Sequence, residues 1–312
     1  MPHGIETVPA KSRLPRIVAR LFVKMYMKPR FGVDSGHEDT RRALDLASRL
    51  AIPPRGTRYR KVIANGVPCE WIAGPGVSME SGAVILYLHG GGFCSGSPAT
   101  HRQMIAGISG ASGARALAVD YRLAPEHPYP AANEDCMAAW DWLLAEGVPP
   151  EKIVVGGDSA GGALTLMLLL ELKARGGDMP AGAFCLSPLT DAAHFDGESY
   201  RTRSHCDPWL GPDVAPHHSR RYIPDMDNPP AIVSPVRADL SGLPPLYIQV
   251  GDDEVLLSDS TRLAERAAAA GTRVRIEVWE KMWHVFQSFA VILPEAREAI
   301  RRLGTFVGRR TG

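Results

Sequence analysis

The 312 residues carry 35 lysines and arginines against 34 aspartates and glutamates, a formal net charge of +1, and 45% of them are hydrophobic. That length suits one α/β domain with a small appendage, and the charge balance offers no overall attraction to nucleic acid or to an anionic membrane. Five scattered cysteines (Cys69, Cys94, Cys136, Cys185 and Cys206) without a C-x-x-C pair predict neither a disulfide framework nor a zinc site, and reduced thiols fit a cytoplasmic protein.

Met1-Pro2-His3-Gly4 is not followed by the basic, apolar and small-residue regions of a secretion signal, so none is expected. No apolar run reaches the roughly 18 residues that a membrane span needs. Leu14, Ile17, Val18, Leu21, Phe22 and Met25 recur at the spacing of one helical face, while Lys11, Arg13, Arg16, Arg20 and Lys24 make the rest cationic. A helix of this kind serves as a peripheral membrane anchor, an organelle presequence or a cap packed over a pocket. Glu38–Leu50 reads as a second short helix, so residues 1–50 are helical in period.

Next, Arg60–Ala64 and Val67–Ala73 straddle Asn65-Gly66, a strong hairpin signal. Strand-like runs then alternate with helical ones: Ala83–Leu88, Ala116–Asp120, Ile153–Val155, Ala183–Leu186, Leu246–Val250 and Val274–Trp279. The alternation predicts an α/β fold with a mainly parallel central sheet and helices on both faces. Reactive groups of such sheets gather beyond the carboxyl ends of the strands. Between Thr190 and Pro235 the pattern breaks into a stretch rich in His, Asp, Pro and Arg, too long for a plain connection. Its His205-Cys206-Asp207 and His217-His218 groups lack regular ligand spacing, so no metal is expected.

Two motifs carry chemistry. Gly157-Asp158-Ser159-Ala160-Gly161 lies between a β-branched run and a long apolar stretch, the strand–turn–helix corner that exposes a nucleophilic serine. His89-Gly90-Gly91-Gly92 ends an earlier strand, where consecutive glycines let backbone N–H groups approach a substrate. By this reading Gly91, Gly92 and Ala160 donate to a developing oxyanion, and His89 braces the loop. No G-K-[ST] follows the serine, which excludes a phosphate loop of the Walker type. The serine needs a downstream acid and base in the order Ser, Asp/Glu, His. His284 follows the last strand and suits the base, and a histidine base implies activity that falls on the acid side. Asp252, Asp253 and Glu254 follow the preceding strand, and any of the three suits the acid. Cys94, Met282, Trp283 and Phe286 are candidate pocket walls or plain core.

Together with Asp120-Tyr121-Arg122-Leu123-Ala124-Pro125-Glu126-His127-Pro128 and Leu186-Ser187-Pro188, these motifs make the chain resemble the hormone-sensitive-lipase-like esterases (bacterial family IV) of the α/β-hydrolase superfamily, from about Tyr59 to Val307. In that family the acid usually opens a D-P-L-x-D run thirty residues before the histidine. Counting back from His284 reaches Glu254, so the resemblance implies Glu254 as the acid in place of the usual aspartate, with Asp253 as the alternative. It further implies a catalytic core over 51–189 and 236–312, with a helical cap formed from 1–50 and 190–235. The activity implied is a serine carboxylesterase acting on short- to medium-chain acyl esters, without cofactor or metal. Lactonase, deacetylase or amidase chemistry uses the same residues. A non-catalytic receptor on this fold, like the plant gibberellin receptors, would have lost the base that His284 supplies here. A small-molecule ester is the expected partner, with no nucleic acid, no membrane span and a homodimer as the family-level expectation.

Overall fold

The computed structural model describes residues 4–312. Met1–His3, on which part of the secretion-signal reading falls, lie outside the described residues. Among the described residues, nine strands form one sheet: β1 (Ile5–Val8), β2 (Arg58–Ala64), β3 (Val67–Ala73), β4 (Val84–Leu88), β5 (Arg115–Val119), β6 (Ile153–Asp158), β7 (Gly182–Leu186), β8 (Leu246–Gly251) and β9 (Val274–Trp279). Their order is β1-β9-β8-β7-β6-β4-β5-β3-β2, parallel from β1 to β5, with β3 and β2 antiparallel at the far edge. The β2–β3 hairpin turns at Asn65 and Gly66, both at positive φ (46° and 87°), the geometry that twists with its flanking strands.

The predicted strands are found within a few residues of their expected bounds, because β4, β6, β7 and β8 are buried on both faces and read as largely apolar runs. Alternation along β4 still divides the core. Ile85 and Tyr87 join Met104, Ile105 and Ile108 of α3 (Pro98–Ser112) and Ile300, Leu303 and Val307 of α9 (Pro294–Thr311). Leu86 and Leu88 point the other way, toward Trp140 and Leu143 of α4 (Ala131–Ala145) and Leu164 and Met167 of α5 (Ala160–Arg175). The long stretch 190–235 holds α6 (Glu198–Thr202) and α7 (Val214–Tyr222), and α8 (Leu257–Ala269) fills the remaining crossover.

Residues 4–50 depart from the sequence reading of 1–50 in two ways. Ile5–Val8 forms a strand, β1, parallel to β9. Four residues are too few for a period to register, and the partner lies about 270 positions away; Glu6 anchors the edge through Arg275 at 3.0 Å and Arg302 at 2.6 Å. The helix beginning at Leu14 is present as α1 (Leu14–Phe22), continued by a π-helical turn at Val23–Met27, and α2 spans His37–Leu50. Yet α1 and its continuation bury Ala19, Val23 and Met27, while Leu14, Ile17, Val18, Leu21 and Met25 face outward. The apolar stripe seen in the sequence is mostly the outer face of the segment.

Leu86 is fully buried at the centre of the sheet. Leu86→Ala is expected to cost about 2–5 kcal/mol of stability, read as a lower urea midpoint with an unchanged denaturant slope.

Candidate active site

At the carboxyl end of β6 the chain reverses into α5 through Ser159, held at φ 54° and ψ −119°. A non-glycine residue there stores on the order of 1–3 kcal/mol of strain, offset by its surroundings. Ser159 N–H donates to Leu186 O at 2.8 Å, tying the corner to β7. The corner also crosses β4 so closely that a Cβ at Gly161 would meet the backbone oxygens of Leu88 and His89, so only glycine fits.

His284 Nε2 lies 2.9 Å from Ser159 Oγ, and His284 Nδ1 lies 2.9 Å from Glu254 Oε2. The other oxygen of Glu254 accepts from Ser187 Oγ at 2.8 Å and from Gly251 N–H at 2.6 Å. Ser187 in turn accepts from Val285 N–H at 3.1 Å, so the loops after β7, β8 and β9 share one hydrogen-bonded cluster. The neighbouring carboxylates go elsewhere. Asp253 binds Arg20 of α1 at 2.7 Å, and Asp252 accepts from Lys281 N–H in the loop after β9. Of the three acids left open by the sequence, only Glu254 is brought to the histidine.

After β4, Gly91 and Gly92 sit at φ 121° and 62°. Their N–H groups and that of Ala160 have no protein acceptor among the described residues. The Gly91 carbonyl is turned away and accepts from Ser95 N–H at 3.0 Å and Ser95 Oγ at 2.8 Å. Asp158, the residue before the serine, is buried and takes Tyr87 O–H at 2.7 Å and Gly90 N–H at 3.1 Å, with His101 Nε2 at 3.4 Å. Burial alone would raise its pKa, but the His101 charge, the His101 hydrogen bond and Tyr87 hold it below the usual range. His101 is raised in return, its burial outweighed by Asp158. His89 stacks on Tyr121 with centroids 4.1 Å apart, and its backbone oxygen accepts from Tyr121 O–H at 2.7 Å. Burial, aided by the nearby His101, pushes His89 down to about 3, so it is a neutral ring beneath the loop.

Ser159 and His284 open onto an apolar cavity of about 380 Å³ walled by Phe31, Leu189, Trp209, Leu210, Val214 and Phe289. Trp209 stands edge-on to His284, with centroids 5.8 Å apart, and Phe31 stands edge-on to Trp209 at 5.5 Å. Met282, Trp283 and Phe286 are fully buried behind this wall and line none of it; they are core. Cys94 is likewise buried outside the cavity. His218, set aside in the sequence as one of a pair without ligand spacing, does line the cavity and packs on Gly92. Burial pushes it down to about 4, so it faces the cavity uncharged. No pattern in the sequence marked it, because its place depends on how 190–235 folds over the sheet. A metal-like grouping joins half-buried His37 to the exposed Glu38 and Glu126, and Arg41 already holds Glu126 through two hydrogen bonds of 2.8 and 2.7 Å.

A family model described as the alpha/beta hydrolase fold matches residues 85–288. The chain is 39% identical over 271 residues to an acetyl-hydrolase of Streptomyces hygroscopicus, covering 87% of this chain and 88% of that protein. It is 35% identical over 267 residues to an esterase of Acinetobacter venetianus, covering 85% and 87%. A crystal structure of an esterase from the bacterial hormone-sensitive lipase family superposes with a TM-score of 0.91 at 40% identity, covering 97% of this chain and all of that one.

All five cysteines are free thiols, and only Cys206 is partly exposed. Burial pushes Cys69 and Cys94 up to about 12 and raises Cys136 and Cys185 as well. Titration with a disulfide reagent at about pH 8 is expected to label Cys206 alone in the native protein, and all five thiols once denatured.

Proposed function

The chain belongs to the hormone-sensitive-lipase-like esterases of the α/β-hydrolase fold and is a carboxylic ester hydrolase, and from that premise we propose that it cleaves short- to medium-chain acyl esters through an acyl-enzyme on Ser159. The observation that carries the reading is the unbroken chain of hydrogen bonds from Ser159 Oγ through His284 to Glu254, each contact to the imidazole at 2.9 Å.

In this mechanism neutral His284 takes the Ser159 proton at Nε2 while Oγ attacks the ester carbonyl. Glu254 accepts the Nδ1–H, fixing the tautomer and stabilising the imidazolium that forms; Asp253 takes no part. The tetrahedral oxyanion is received by the N–H groups of Gly91, Gly92 and Ala160, which have no other protein acceptor among the described residues. His284 then protonates the leaving alcohol, and a water deprotonated by the same imidazole releases the carboxylic acid. His89 supports the glycine loop through its stack on Tyr121. The apolar cavity supports an acyl chain of modest length, and its wall mixes residues of both non-core segments, Phe31 from 1–50 and Trp209 from 190–235, which we read as a two-part cap. Four buried free thiols support a reducing compartment, the cytoplasm.

Hydrolysis of p-nitrophenyl esters from acetate to palmitate is expected to peak at short to medium chains, with Ser159→Ala lowering kcat roughly a million-fold. A wild type that turns over none of these esters, or a Ser159→Ala variant that keeps its rate, would overturn the reading. Glu254→Gln is expected to lower kcat about 10⁴-fold, whereas Asp253→Asn stays within about threefold of wild type. Reversal of that order would transfer the acid role to Asp253.

A further inference from the structure

We propose that the outer face of α1 docks the protein onto an anionic lipid surface, so that the mouth of the active-site cavity opens against the bilayer and ester substrate enters from it. The substrate half of this proposal rests on the esterase reading; the docking half does not.

Leu14, Ile17, Val18, Leu21 and Met25 are 45–73% exposed, a contiguous apolar stripe on one short segment. Large apolar side chains of this number are seldom left in water on one face without a partner. The stripe runs into the cavity mouth: Val18, Leu50, Val291 and Ile292 are exposed and at the same time line the cavity that reaches Ser159. Whatever covers α1 therefore also covers the entrance.

Charge identifies the occupant. Residues 11–30 contain seven lysines and arginines (Lys11, Arg13, Arg16, Arg20, Lys24, Lys28 and Arg30) and no aspartate or glutamate. Arg20 and Lys28 are turned inward, to Asp253 and to the Asp207 carbonyl at 2.9 Å. Lys11, Arg13, Arg16 and Lys24 have no ion-pair partner among the described residues. The net charge of +1 conceals this local asymmetry, since the compensating acids lie in other parts of the chain. An apolar stripe flanked by unpaired cations matches the interface of a bilayer containing anionic headgroups, where the stripe enters the acyl boundary and the cations meet phosphate. A second copy fits poorly, because a two-fold contact through this face would set its own arginines and lysines against each other.

The test uses full-length protein co-sedimented with vesicles of phosphatidylcholine alone, or with about a third phosphatidylglycerol. Wild type is expected to bind the anionic vesicles at least about tenfold more tightly, and to be released by about 1 M salt. Arg16→Glu with Lys24→Glu is expected to weaken binding about tenfold or more, as is Ile17→Ser with Leu21→Ser. Both double variants should hydrolyse soluble p-nitrophenyl acetate at the wild-type rate, which also shows that they are folded. A wild type that hydrolyses the soluble ester but binds neither vesicle, or binds both alike, overturns the docking and leaves the esterase standing. A dimer in solution that Ile17→Ser with Leu21→Ser dissociates also overturns it, by giving the face to a second copy. Vesicle binding without hydrolysis of any ester sinks the esterase reading and the substrate half, and keeps the docking.

Discussion

One buried carboxylate holds the two reactive loops in register. Asp158 precedes Ser159 in the chain and accepts the N–H of Gly90 in the loop after β4, so the strained corner and the glycine loop share a single side chain. A charge at that depth is costly unless paired and fully hydrogen-bonded. Tyr87 supplies one donor from β4, and His101 of α3, its pKa raised by this carboxylate, approaches to 3.4 Å. Because His101 also stacks against His89 at 5.4 Å, the same cluster presses on the ring that lies beneath the loop. Mispairing of this cluster would move the glycine N–H groups relative to Ser159 Oγ, the one separation that acyl transfer cannot tolerate changing.

A second cluster organises the opposite side. Glu254 sits where the loops following β7, β8 and β9 meet, and its two oxygens divide their work: one faces His284, the other is spent on Ser187 and Gly251. Asp252 and Asp253 are nearer the strand, and their side chains serve the loop after β9 and the α1 segment. Residue type and position left the three acids equal, since all occupy one strand end, and the thirty-residue count from His284 singled out Glu254 only through the family resemblance. In the fold they are separated by their directions out of the strand end and by Arg20, which arrives from 233 positions away.

What could be read in the sequence follows the same division between local and distant causes. The strands, the hairpin at Asn65-Gly66 and the corner at Ser159 are dictated by residues adjacent in the chain, and they stand where expected. β1 was invisible because its identity as a strand comes from β9 rather than from its own four residues. The helix at Leu14 was legible, but the orientation of its stripe was not. A helical period reports that two faces differ; it does not report which face finds a neighbour. Here the neighbours accept Ala19 and Val23, small enough for close approach, and the larger residues are turned out.

That orientation has a consequence for the site. The N-terminal segment is pinned by two polar contacts and one aromatic contact rather than by its outward stripe: Arg20 to Asp253, Lys28 to the Asp207 carbonyl, and Phe31 against Trp209. Each of these contacts lands one step from Glu254 or His284, the proposed acid and base. Asp253 adjoins Glu254; Asp207 accepts the N–H of Val255, the next residue, at 3.0 Å; Trp209 stands against His284. Asp207 is itself raised to about 6, by burial first and then by the charge of Glu254, so the two carboxylates sense one another. The segment thus fulfils two demands that conflict on an ordinary surface helix. Its inner contacts steady Glu254 and His284, the proposed acid and base, and for that they need charge and small residues. Its outer face is left apolar at the entrance to the cavity, where a wholly polar face would set a barrier of bound water before an apolar substrate.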